Sequence, residues 1–134
     1  MILRVEHIGI AVKEMESANK LFAAMLGIPN YKMEAVASEN VTTSFYKTGE
    51  TKIELLESTS DNGPISKFIE KKGQGIHHIA FETDDIVAEM QRLKDLGFEL
   101  LSDQNKKGAD NKLICFLHPK STNGTLVELC MEIS

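Results

Sequence analysis

The chain is poor in cysteine and in basic residues. Its two cysteines, Cys115 and Cys130, lie in apolar runs and do not form a CxxC pair. This spacing excludes a disulfide framework and a zinc site of that type, so we expect both to be reduced thiols in the core. Lysine and arginine number 15 against 20 acidic residues, a formal net charge of −5. General nucleic-acid binding is therefore excluded, because it needs clustered basic side chains.

The chain also lacks long apolar segments. No run approaches the roughly 18 residues of a membrane-spanning helix. The opening residues MILRVE lack the basic and then apolar segments of a secretory leader. We therefore expect a cytoplasmic protein with no membrane partner. The 42% apolar and 26% charged residues are typical of a globular domain, and 134 residues suffice for one domain only.

The first half of the sequence predicts a βαβββ unit. After an extended start over residues 1–12, apolar residues recur at spacings of three, four and seven between Met15 and Leu26, which predicts a helix with one buried face. Gly27 is placed to cap this helix, and Pro29 prevents its continuation. Three extended stretches are predicted next, near residues 31–37, 41–48 and 51–57.

The same order recurs in the second half. A polar connector over residues 58–63 leads into a short helix from Pro64 to about Lys72. A strand from Ile76 to Thr83 then precedes a helix that starts around Asp84 and is capped by Gly97. Further extended stretches are predicted at about 98–102, 112–118 and 124–131. The sequence thus predicts one domain made of module one (about 1–57), a connector (about 58–73) and module two (about 74–134).

A duplicated βαβββ unit predicts the architecture. One copy leaves a sheet face and its edges exposed, and pairing two copies about a pseudo-twofold axis buries them and encloses a cleft. We therefore expect an α+β fold in which two paired modules form a cupped mixed sheet. Residues that repeat at matching positions in both modules are expected to meet in the cleft.

Two kinds of metal-binding side chain repeat in this way. His7 in HIGIAV matches His78 in HHIAFE, and Glu54 in TKIELLE matches Glu128 in TLVELCM. Strand alternation places the isoleucines beside each histidine on the opposite face, so both histidines are expected to face the cleft. Imidazole nitrogens with carboxylate oxygens suit a divalent ion such as Zn²⁺, Co²⁺, Ni²⁺ or Mn²⁺. We predict a metal site made of His7, Glu54, His78 and Glu128.

Structural roles compete with this interpretation for each residue taken alone. A strand histidine is usually a core or edge residue, and a strand glutamate usually faces water. Surface residues have no reason to repeat as matched pairs, however, and the repeat favours ligands. We expect His77 to be structural. We expect His118 to be a solvated loop residue, the alternative being contact with a ligand carboxylate or phosphate.

With these residues in place, the chain resembles the vicinal oxygen chelate (glyoxalase/bleomycin resistance/dioxygenase) superfamily over nearly its whole length. Within that superfamily, the segments VEHIGIAV, TKIELLE, GIHHIAFETDDI and FLHPKSTNGTLVEL resemble those of the methylmalonyl-CoA epimerases. The resemblance implies a glyoxalase-like fold, an acyl-CoA substrate (methylmalonyl-CoA) and a homodimer. It places the family's metal ligands on His7, Glu54, His78 and Glu128.

One departure from the family pattern affects catalysis. Some bacterial epimerases use a further glutamate as a base in the second group of strands, and the matching stretch Val41–Ser44 has no carboxylate. Epimerisation needs a base on each side of the reacting carbon, and the pseudo-twofold places Glu54 and Glu128 on opposite sides of the metal. Glu128 and Glu54 are therefore the predicted catalytic residues.

Other activities of the superfamily are the alternatives. A glyoxalase I-type isomerase acting on a glutathione hemithioacetal uses similar enediolate chemistry. A drug-binding protein of the bleomycin-resistance type shares the fold without a catalytic metal, and the complete set of two histidines and two glutamates disfavours it. Ring-cleaving dioxygenases rank last, because they need an open site of two histidines and one carboxylate for iron and are usually longer chains.

Overall fold

The computed structural model describes all residues from Met1 to Ser134. Its elements, in chain order, are β1 (Ile2–Ala11), α1 (Met15–Leu26), β2 (Lys32–Val36), β3 (Val41–Thr48), β4 (Thr51–Ser58), α2 (Pro64–Lys72), β5 (Gly75–Thr83), α3 (Ile86–Asp95), β6 (Lys106–Lys107), β7 (Lys112–Leu117) and β8 (Val127–Glu132). Eight strands with three helices confirm the predicted α+β class. None of the helices has the length and apolar character needed to cross a bilayer.

The residue contacts divide the chain into two compact units. The terminal unit contains Met1–His7 and His78–Ser134, and the central unit contains Ile8–His77. Strands β1 and β5 each contribute residues to both units. The predicted module bounds, about 1–57 and 74–134, describe the sequence repeat rather than these contacts, and they remain a prediction.

In the central unit, β2, β3, β4 and the second half of β1 are neighbours in that order. Strands β2 and β3, and β3 and β4, pair antiparallel, with Phe45 opposite Glu54 in the second pair. Helix α1 buries Met15 and Ala18 against a core that includes Tyr46 and Leu55. Helix α2 packs on a second cluster, which contains Ala11, Val41, Leu56 and Ile65.

Helix α1 begins and ends where its sequence predicts. The Glu14 carboxylate accepts a hydrogen bond from the Ser17 backbone N–H at 2.7 Å, which satisfies a free donor of the first turn. At the other end Gly27 adopts φ 75°, and its N–H donates to the Ala23 carbonyl at 2.9 Å. This left-handed cap is the reason for glycine at position 27.

Gly27→Ala is expected to destabilise the protein by about 1–2 kcal/mol, the cost of a Cβ in the left-handed region. No atom lies within 4 Å of the position that the new Cβ would take, so conformation alone sets this cost. Gly27→Asn is expected to cost less, because asparagine tolerates this conformation. Urea denaturation of the three proteins measures the difference, and equal stability of the alanine variant would contradict it.

In the terminal unit, the first half of β1 is followed by β5, β8, β7 and β6. Strands β5 and β8 are parallel, whereas β7 pairs antiparallel with both β8 and β6. Helix α3 starts at a cap in which the Asp85 carboxylate accepts from the Ala88 N–H at 3.0 Å. It covers a buried apolar cluster made of Ile86, Met90, Leu93, Cys115, Leu117 and Leu129.

Residues 98–102 do not form the predicted strand. Their backbone donors go to separate partners: the Phe98 N–H donates to the Leu93 carbonyl at the end of α3, and the Glu99 N–H donates to Ser121 Oγ. Only a single bridge joins Leu100 to β7. The short β6 at Lys106–Lys107 takes the place of that strand beside β7.

Strand β8 begins at Val127, three residues later than predicted. A short 3-10 helix at Pro119–Ser121 precedes it, followed by a turn in which Gly124 has φ 86° and donates its N–H to the Pro119 carbonyl. This turn occupies backbone groups that a strand would have paired.

Candidate metal centre

Three of the four predicted ligands meet in the terminal unit. His7 Nε2 lies 3.0 Å from His78 Nε2. Glu128 Oε1 lies 3.2 Å from His78 Nε2 and 3.6 Å from His7 Nε2. All three residues are buried, with no more than 5% of their surface exposed.

Strand order explains this convergence. His7 ends the part of β1 that belongs to the terminal unit, and His78 and Glu128 lie on the next two strands, β5 and β8. The parallel register of β5 and β8 places Glu128 opposite Ala80. Ala80 lies two residues after His78 and therefore on the same face of β5 as the histidine. Ala80 is fully buried.

The spacing of the donor atoms fits a single divalent ion. Ligands about 2.1 Å from one ion lie about 3.0 Å apart at right angles and about 3.4 Å apart in a tetrahedron. The observed separations of 3.0, 3.2 and 3.6 Å are close to these values. Two imidazoles and a carboxylate suit borderline ions such as Zn²⁺, Co²⁺, Ni²⁺ or Mn²⁺.

The Glu128 side chain is held in its ionised form. Burial by itself raises the pKa of this carboxyl, but the hydrogen bonds and charges of His7 and His78 lower it more, to about 2. At neutral pH the group is therefore a carboxylate, the form that binds metals.

Apolar side chains lie on one side of the site. The Phe116 ring stands edge-on to His78 at 5.9 Å, and Phe116 pairs with Glu128 across β7 and β8. Ala80, Ile114 and Cys130 form a buried cluster against which Phe116 also packs. Apolar surroundings of this kind lower the local dielectric constant and strengthen electrostatic interactions at the site.

Both cysteines are free and buried, as predicted. Burial, together with the nearby charge of Glu128, raises the pKa of the Cys115 thiol to about 11. Burial also raises the pKa of Cys130. Both thiols are therefore protonated at neutral pH.

The fourth predicted ligand, Glu54, belongs to the central unit. It lies on β4 with 5% of its surface exposed. Its neighbours Ile53 and Leu55 pack in the α1 cluster, so alternation places Glu54 on the opposite face of the strand, beside Phe45 of β3.

Sequence reasoning missed Glu6 and Lys112. Glu6 precedes His7, and strict alternation assigns it to the other face of β1. In the structure Glu6 and His7 are both buried, and Glu6 Oε1 lies 2.7 Å from His7 Nδ1. Lys112 is equally buried, with Nζ 3.9 Å from Glu6 Oε2. A carboxylate next to a candidate histidine ligand was the available signal, because such histidines commonly bind a carboxylate through their second nitrogen.

The two remaining histidines make structural contacts. His77 packs edge-on against Phe68 of α2 at a centroid distance of 5.0 Å. His118 Nδ1 accepts a hydrogen bond from the Lys120 backbone N–H at 3.1 Å and so caps the 3-10 helix. Its Nε2 lies 3.9 Å from the half-exposed Glu99 carboxylate.

Comparison with known proteins identifies the family. A model of the Glyoxalase/Bleomycin resistance protein/Dioxygenase superfamily matches residues 6–116. The ethylmalonyl-CoA/methylmalonyl-CoA epimerase of Cereibacter sphaeroides is 42% identical over 131 residues, which cover 96% of this chain and 98% of that protein. The uncharacterized protein YqjC of Bacillus subtilis is 39% identical over 127 residues, 95% of this chain and 91% of that protein.

Solved structures agree with this assignment. A methylmalonyl-CoA epimerase in complex with methylmalonyl-CoA and NH4+ superposes with a TM-score of 0.95 at 31% identity, covering 100% of this chain and 97% of that chain. The match confirms the predicted glyoxalase-like fold. The chain is a member of the glyoxalase/bleomycin resistance/dioxygenase superfamily.

Proposed function

We propose that this chain is a metal-dependent epimerase that interconverts (R)- and (S)-methylmalonyl-CoA. The convergence of His7, His78 and Glu128 within one buried site carries the proposal. Its support is the near full-length similarity to proteins named methylmalonyl-CoA epimerase and to a structure that contains methylmalonyl-CoA. An acyl-CoA substrate, a cytoplasmic location and a homodimer belong to the same proposal.

The reaction requires reversible loss of the proton at C2. This carbon lies between a thioester and a carboxylate, and its deprotonation creates an enolate whose negative charge has to be stabilised. A bound divalent metal supplies Lewis-acid stabilisation of that charge. His7, His78 and Glu128, with Glu54 as the fourth ligand, are the residues that would hold it.

The carboxylates are assigned the proton transfers. Inversion at C2 needs removal of a proton on one side and its return on the other, so two acid–base groups are required. We assign these roles to Glu128 and Glu54. Both carboxylates are buried.

Deuterium exchange tests this function. The metal-loaded protein is incubated with methylmalonyl-CoA in deuterium oxide, beside chelator-treated protein and substrate alone, and deuterium at C2 is followed by mass spectrometry. We expect exchange with the metal-loaded protein that far exceeds both controls. Equal exchange in all three samples would refute the epimerase proposal. Turnover of methylglyoxal with glutathione in a parallel assay would point instead to the glyoxalase alternative.

A further inference from the structure

Glu6 makes a buried contact with the first of the histidines. Its Oε1 lies 2.7 Å from His7 Nδ1, while Nε2 on the other side of the ring faces His78 at 3.0 Å. Only 4% of the Glu6 surface is exposed. The two nitrogens of one ring therefore face different partners: a carboxylate on one side and the candidate ligands on the other.

The contact determines which nitrogen carries the proton. An ionised carboxylate only accepts hydrogen bonds, so His7 donates its Nδ1–H to Glu6 whether the ring is protonated or neutral. In the neutral ring, which is the form that binds a metal, Nε2 then has no hydrogen and presents its lone pair towards His78 and Glu128. A histidine ligand binds a metal through such a lone pair, and the bond at the second nitrogen fixes the direction of the ring.

Lys112 in turn holds Glu6. Its ammonium nitrogen lies 3.9 Å from Glu6 Oε2 and 3.8 Å from both Asp110 Oδ2 and Glu132 Oε1. Strand pairing places Lys112 directly opposite Glu132 on β8, which fixes its position along the sheet. One oxygen of Glu6 therefore faces His7 and the other faces an anchored positive charge.

We infer that Glu6 is a positioning residue of the metal centre: anchored by Lys112, it holds His7 in the Nδ1–H tautomer with Nε2 directed at the ion. The inference rests on the metal centre of the proposed function. It adds a residue that does not itself bind the metal. It predicts that metal affinity depends on Glu6, whose contact with the ligand His7 is to the second nitrogen of the ring.

A second arrangement of the same residues has to be distinguished. Donor atoms of Glu6, His7 and Cys130 also lie within 4.8 Å of one another, as those of His7, His78 and Glu128 do. If an ion were bound by that other group, Glu6 would be a ligand rather than a positioning residue. Our assignment expects Cys130→Ala to retain the metal affinity of the parent, whereas a large loss would overturn it.

Metal affinity and the protonation of the ring provide the test. Co²⁺ binding is measured by titration for the parent chain, Glu6→Leu and Glu6→Gln, and the ring nitrogens of His7 are observed by ¹⁵N NMR in the metal-free proteins. We expect Glu6→Leu to bind Co²⁺ about 10–100-fold more weakly, the effect typical of losing a residue that hydrogen-bonds a metal ligand. Glu6→Gln, whose amide oxygen still accepts from Nδ1–H, is expected to lose less affinity.

Glu89→Leu is the matched control. Glu89 is another buried carboxylate of the terminal unit, 4% exposed, and its partner is Arg92 at 2.8 Å. Its loss removes the ion pairs with the half-exposed Arg92 and with the N-terminal ammonium, which lies 3.1 Å away, without removing a contact to the metal centre. We expect parental Co²⁺ affinity in this variant, even if its melting temperature falls as in Glu6→Leu.

Parental affinity in both Glu6 variants, with His7 still protonated at Nδ1, would overturn the inference. Should Glu6→Leu fail to fold, Glu6→Gln and its ¹⁵N spectrum decide the question. The outcome is separate from that of the epimerase assay. Metal that binds with the expected dependence on Glu6, but without exchange at C2, would overturn the proposed function and support the role of Glu6.

Discussion

Glu128→Gln is expected to abolish metal-dependent exchange at C2 and to weaken metal binding. The change removes the negative charge that faces both histidines while keeping the size of the side chain. Loss of a single donor that stabilises a developing negative charge costs about 10²–10³-fold in rate. Loss of a direct metal ligand is expected to lower the rate by at least that factor. Co²⁺ titration and deuterium exchange measure the two effects.

Glu99→Gln is the control for this prediction. Glu99 lies in the same unit, is about half exposed, and pairs with Lys120 at 2.8 Å. Because exposed ion pairs contribute little to stability, this variant is expected to behave as the parent does in both assays. Unchanged exchange in Glu128→Gln would refute the catalytic assignment, and unchanged metal affinity would remove Glu128 from the ligand set.

Ile86→Ala is expected to lower the free energy of unfolding by about 2–5 kcal/mol. Ile86 is fully buried at the start of α3, where it packs in one cluster with Leu93 and Leu129. Truncation removes buried apolar surface and leaves a cavity that the sheet cannot fill. Since native domains are stable by only about 5–15 kcal/mol, the loss should be plain in a urea melt.

Val87→Ala provides the contrast within the same turn of helix. Val87 follows Ile86 directly but is 66% exposed, so little burial is lost. We expect its stability to stay within about 0.5 kcal/mol of the parent, as for most surface substitutions. Similar losses in the two variants would contradict the assignment of Ile86, rather than Val87, to the core face of α3.

Much of the fold was predictable because its signals are local. Helix α1 ends at Gly27 as expected. A glycine that follows a helical pattern of apolar residues is a local signal for a left-handed helix cap, so it can be recognised from a few neighbouring residues. Helix α2 likewise spans Pro64–Lys72, as the proline at its start indicates. The strand prediction for residues 98–102 was wrong because the hydrogen-bond partners of this segment are distributed along the chain. These partners, Leu93, Ser121 and Phe116, are brought to the segment only by the tertiary structure.

The candidate site divides in the same way. Matching His7 with His78, and Glu54 with Glu128, required only a sequence repeat, and the structure brings His7, His78 and Glu128 together. The roles of Glu54 as the fourth metal ligand and as an acid–base group stay proposals. Glu6 was missed because ideal alternation places neighbours on opposite faces, whereas the folded strand buries both Glu6 and His7.

The sequence by itself determined the element types, the duplicated pattern and the identity of the candidate ligands, because each depends on residues close in the chain or on direct repetition. Only the tertiary structure decided the contact of Glu6 with His7 Nδ1 and the contact of Glu6 with Lys112. The second of these contacts joins β1 to β7, more than 100 residues apart in the chain. The two contacts depend on strand order and on the direction of individual side chains, which no local pattern encodes.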